Sequence, residues 1–87
     1  MTEIILSILL FQSSLSYKTD IYPIFQQRCF QCHSSGYWNW MQYKNAFKYK
    51  DQIKWRVSTI RSMPPGGNIT EEERNKIRDW VDQGARE

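Results

Sequence analysis

Cys29-Phe30-Gln31-Cys32-His33 is the stretch on which the reading of this chain turns. Two thiols spaced C-x-x-C fall on one helical turn, and a histidine follows at once. In this pattern a haem is held by two thioethers, with the neighbouring imidazole in reach of the iron. The same spacing also serves zinc sites and thiol oxidoreductases. A structural zinc needs four protein ligands, however, and the sequence holds only two Cys and one His. Adjacent Cys32 and His33 would also strain a tetrahedral site. A thioredoxin-type pair belongs in a strand–helix–strand setting, so the sequence on either side decides between these chemistries.

Upstream, Ile21, Ile24, Phe25 and Arg28 recur at i, i+3, i+4 and i+7, with Pro23 tolerated in a first turn. This predicts a helix running directly into Cys29. Downstream, Ser34-Ser35-Gly36 marks a turn. Asn39 followed by Gln42 resembles a capping box, and Tyr43, Ala46 and Phe47 predict a short amphipathic helix after it. Ile53, Val57 and Ile60 predict another from about Asp51, which Met63-Pro64-Pro65-Gly66-Gly67 must end. Thr70-x-x-Glu73 is a capping box, and Glu71, Glu72 and Glu73 suit the positive end of a helix dipole. Ile77, Trp80 and Val81 form the apolar stripe of that last helix, and Gly84 stands where a C-terminal cap belongs. The expected fold is all-α, four helices with no sheet. That denies the thioredoxin setting.

The N-terminus reads differently. Ile4-Ile5-Leu6-Ser7-Ile8-Leu9-Leu10-Phe11 is an apolar run too short to span a bilayer as a helix. Ser14-Leu15-Ser16 places small residues where a signal peptidase cuts, so residues 1–16 read as an export signal cleaved after Ser16, although Met1-Thr2-Glu3 carries no cation; the alternative is an N-terminal helix packed on the domain. The domain is then 17–87, small for a self-sufficient core and in need of a staple. Two Cys close at most one strained loop; a covalent haem would supply the missing apolar bulk. An aromatic content of 15% suits the walls around a flat ligand. Loss of Glu3 raises the net charge of +3 by one. Most of the excess lies in Lys44, Lys48, Lys50, Lys54, Arg56 and Arg61, with only Asp51 among them. This segment is either a solvated face or a docking surface for an acidic redox partner. No nucleic-acid-binding module accompanies it.

Met63 is the second element. It lies 30 residues after His33, ahead of a Pro-Pro-Gly-Gly loop, where a stiff backbone would present a thioether. Thioether sulfur is soft and uncharged, and His/Met ligation raises the reduction potential of a haem. Core packing is the ordinary role of a lone Met, and Met41, in a predicted helix, exemplifies it. With one His in the chain, the far side of an iron is left to Met63, a Lys or an open site.

Ile21-Tyr22-Pro23-Ile24-Phe25, Cys29 to His33, Met63-Pro64-Pro65-Gly66 and Ile77-x-x-Trp80-Val81-x-x-Gly84-Ala85, in that order, resemble a small class I cytochrome c. The likeness is to bacterial secreted mono-haem domains ending in M-P-P-G and W-[IV]-x-x-G-A, and spans about residues 20 to 85. The resemblance implies a cytochrome c-like fold of about four short helices wrapped around one haem c. Cys29 and Cys32 would hold the haem covalently, His33 would be the proximal and Met63 the distal iron ligand, and the first and last helices would cross near Phe25 and Trp80. Trp55 and Arg56 are candidates for the propionates, since an indole N–H and a guanidinium are suitable donors. The function implied is electron transfer in an extracytoplasmic compartment, with a redox protein as partner and no membrane contact unless the leader is kept. A haem sensor or peroxidase-like protein with a labile sixth ligand is the alternative; a non-haem thiol or metal-binding protein is a third.

Overall fold

The computed structural model describes residues 13–29, 36 and 39–87. Most of the predicted leader, and Cys32 and His33, lie outside these residues. Among them are four α-helices and no strand. Helix α1 is Tyr22–Arg28, α2 is Tyr43–Lys48, α3 is Lys50–Lys54 and α4 is Glu71–Asp82. A π-helical turn, Tyr17–Ile21, leads into α1, and a second, Trp55–Thr59, extends α3. No described helix is long and apolar enough to cross a membrane.

Ser16 starts the first segment by accepting from the Thr19 N–H, while its own N–H donates to Asp20 Oδ2 at 2.9 Å. Pro23 falls in the first turn of α1, where no helical hydrogen bond is lost. The helix runs up to Cys29 as expected; its last residue is Arg28, and Cys29 caps it with its N–H on Phe25 O. Helix α2 begins later than the Asn39 cap predicted. The Asn39 side chain accepts from Met41 N, two residues on, and so forms a turn instead of a helix start.

Two apolar residues counted toward the core by helical spacing lie outward. Phe47 is 40% exposed, with Lys50 Nζ 4.3 Å from its ring centre. Ile60 is 46% exposed. Its N–H reaches five residues back to Trp55 O, so the widened turn rotates it off the face set by Ile53 and Val57.

Helix α4 matches its pattern closely. Thr70 and Glu73 form the reciprocal capping box, and Ile77, Trp80 and Val81 are buried. At the far end the Gly84 N–H donates to Val81 O and the Ala85 N–H to Trp80 O, which is a Schellman motif with Gly84 at φ 107°. The chain then returns along the first segment. Tyr17 N donates to Arg86 O and Lys18 N to Glu87 O, at 2.9 and 3.0 Å. Arg86 Nε donates to Leu15 O, and Leu15 N to the Gln83 side chain.

One core results. Ile21, Phe25, Ile53, Val57, Ile77 and Trp80 are fully buried. Each such side chain contributes about 1.5–3 kcal/mol of burial. Tyr17 ties the layers together: its ring packs on Tyr22, Phe25, Tyr43 and Trp80, and its hydroxyl donates to Trp40 O at 2.5 Å. Burial, with Tyr22 nearby, pushes the phenol up to about 12.

Candidate functional site

Cys29 stands at the C-terminal end of α1, 6% exposed and part of the central apolar cluster. Met63 is half-buried and packs against that same cluster. The structure therefore brings one predicted thioether-forming cysteine and the predicted sulfur ligand to one core. Cys32 and His33 are not among the described residues, so their relation to Met63 is a matter of sequence alone.

The backbone around Met63 is tied on both sides. Its N–H donates to Arg56 O at 3.2 Å, and its carbonyl accepts from Arg74 Nη1 at 3.1 Å. The same Nη1 donates to Val57 O at 2.6 Å. Two residues upstream, Arg61 takes a left-handed conformation at φ 57°, a shape that side chains resist. Its guanidinium forks onto Glu71 with contacts of 2.5 and 2.7 Å. The Met63–Pro64 peptide is cis. Gly66 and Gly67 have φ of 84° and 70°, and the Gly67 N–H closes a tight turn onto Pro64 O.

Trp55 and Arg56 share a π-helical turn, and the Arg56 carbonyl accepts from the Met63 N–H. Trp55 is half exposed, and the Arg56 guanidinium stacks near its ring at 5.7 Å. Both are available as donors at the surface. The wider basic segment is less uncompensated than its local sequence indicates. Lys54 pairs with Asp82, and Arg61 with Glu71, both partners lying on α4. Lys44, Lys48, Lys50 and Arg56 have no such carboxylate partner among the described ion pairs.

Beside Cys29, Arg28 Nε meets Glu73 Oε1 at 3.1 Å and joins the end of α1 to the start of α4. Burial pushes the Glu73 carboxyl up, but hydrogen bonds from Thr70 and Arg28 and the Arg28 charge outweigh it, leaving the group below the usual carboxylate range. An open groove of about 480 Å³ runs beside this pair, lined by Asp20, Gln27, Glu72 and Lys76 among others. None of the predicted haem-site residues lines it.

Of the four donors predicted from sequence, Cys29 and Met63 are described, and their settings are compatible with haem binding. A cysteine in an apolar core can carry a thioether without exposing it, and a half-buried Met on a fixed loop is a neutral ligand that needs little ordering on binding. The buried charged residue missed by sequence reading, among the described residues, is Arg74. It directly follows the Thr70-x-x-Glu73 capping box, off the Ile77–Trp80–Val81 stripe, yet Arg74 is only 7% exposed. No family model, no curated protein and no solved structure matches this chain.

Proposed function

We propose that the protein is an exported mono-haem c-type cytochrome that carries electrons and is not itself an enzyme. The observation that carries the reading is the occurrence of Cys29-x-x-Cys32-His33 together with Met63-Pro64-Pro65-Gly66 in one small helical chain, with Cys29 in the apolar core and Met63 packed against it. Cys29 and Cys32 would hold the haem, with His33 and Met63 as the axial pair. When bound, the haem supplies a one-electron iron couple, tuned by ligand type, burial and nearby charge.

The chain's own part is to exclude water and fix the ligands. Phe25, Trp40 and Trp80 give the core its bulk, and the loop from Arg61 to Gly67 presents Met63 without freedom to wander. Trp55 and Arg56 would serve the propionates. Lys44, Lys48, Lys50 and Arg56 would steer an acidic redox partner, an effect that falls with salt. Covalent haem attachment fits an export signal over residues 1–16. Cleavage after Ser16 would release Leu15 and the Ser16 cap from the closing clasp but keep the backbone pairs of Tyr17 and Lys18.

Two measurements test the reading. Mass spectrometry of the denatured protein, made together with haem-attachment machinery, should show one haem mass retained; its loss on denaturation sinks covalent attachment. Met63→Ala should keep the haem but lose the sulfur–iron charge-transfer band of the oxidised protein. Persistence of that band would remove Met63 as the ligand.

A further inference from the structure

We infer that Arg74 is the positioning residue for Met63, holding the thioether where it can stay on the iron; the inference rests on the reading of Met63 as the distal ligand. A cation buried to 7% exposure is costly unless its donors are used. Arg74 spends its Nη1 donor on two backbone carbonyls, Val57 O and Met63 O. The first belongs to the last turn of a helical segment, where carbonyls lack helical partners. The second is the carbonyl of the ligand residue itself. One nitrogen thus binds the end of the α3 segment to the ligand loop, and the side chain roots both in α4.

Charge reinforces the connection. Arg74 Nε lies 3.9 Å from Glu71 Oε1, and that oxygen also takes one arm of the Arg61 fork. The loop is therefore held at Arg61 and at Met63 by neighbouring residues of one helix turn. A planar guanidinium fixes such geometry better than a lysine, whose point charge rotates. Removing it frees the Met63 carbonyl and leaves only the Met63 N–H on Arg56 O. Nothing covalent changes; only the fraction of time spent on the iron does.

The test compares Arg74→Gln and Arg74→Lys with the wild type and with Ile77→Val, a core variant on the same helix. All are prepared as full-length, haem-loaded protein. Imidazole competes with the Met63 sulfur, so its apparent affinity for the oxidised protein reports how often the site opens. The Arg74 variants should bind imidazole about tenfold more tightly and lose part of the sulfur–iron band, while Ile77→Val stays at the wild-type affinity. Should Arg74→Gln fail to fold, Arg74→Lys decides alone. Wild-type imidazole affinity in the Arg74 variants, or an equal rise in Ile77→Val, overturns the positioning role while Met63→Ala still loses the band. If instead Met63→Ala keeps the band and binds imidazole like the wild type, the ligand reading falls, and the positioning role with it.

Discussion

The two ends of α4 are fastened by opposite chemistry. At its C-terminal end, Trp80 and Ala85 sink into the core, Tyr17 packs on Trp80, and the indole N–H donates to Arg86 O at 2.9 Å. Tyr43 adds a hydroxyl bond to Ala85 O. Burial and neutral hydrogen bonds do most of the holding there, with the exposed Lys54–Asp82 pair beside them. At the N-terminal end the fastenings are ionic: Arg61 on Glu71, Arg28 on Glu73, and the buried Arg74 on two carbonyls. Surface pairs such as Arg61–Glu71, with both side chains over half exposed, contribute little stability. Their effect is geometric. The apolar end closes the domain, whereas the charged end sets the place of the loop that carries Met63.

The largest break in this comparison should come from Trp80→Ala at the apolar end. A fully buried indole replaced by a methyl costs about 3–5 kcal/mol, read as a drop in the denaturant midpoint of the full chain. A loss below that of a surface substitution would mean that the end is not closed by packing. Thr70→Ala at the charged end should cost less, about 1 kcal/mol, since it removes one half of a capping box.

Changes of pH should separate the two ends most cleanly. Glu73 titrates below its ordinary value, so its stabilisation is present above the unfolded value and is lost as pH falls through the lowered one. Glu73→Gln should flatten the acid side of a stability–pH curve. Tyr17 is raised from 10.0 to about 12, so its contribution is complete below the unfolded value and disappears as pH rises through the folded one. Tyr17→Phe should flatten the alkaline side, at the expense of the bond to Trp40 O. A Tyr17→Phe variant with an unchanged alkaline limb would locate that sensitivity elsewhere.

Legibility from sequence divides along a similar line. The Thr70–Glu73 box, the Ile77–Trp80–Val81 stripe and the Gly84 cap all depend on residues within a turn of each other, and each is found as expected. The break at Met63-Pro64-Pro65-Gly66-Gly67 was equally plain, because proline and glycine act on their own backbone. Phe47 and Ile60 leave the faces that their spacing predicts, since a six-residue helix and a π-helical turn do not keep a strict 3.6-residue phase. Asn39 closes a local turn, an equally good use of the same side chain.

Composition and local spacing therefore determined that the described residues are helical and where the last helix starts and stops, and they singled out Cys29 to His33 as the basis of the proposed haem site. Only the tertiary structure decided that Tyr17 joins four aromatic neighbours, that Arg86 and Glu87 close on the first turn, and that Arg74 points inward to the Met63 carbonyl. The reason is physical: caps and stripes are satisfied by near neighbours along the chain. A buried phenol or guanidinium is satisfied by partners 11 to 23 residues away, and nothing in its own neighbourhood of sequence names them.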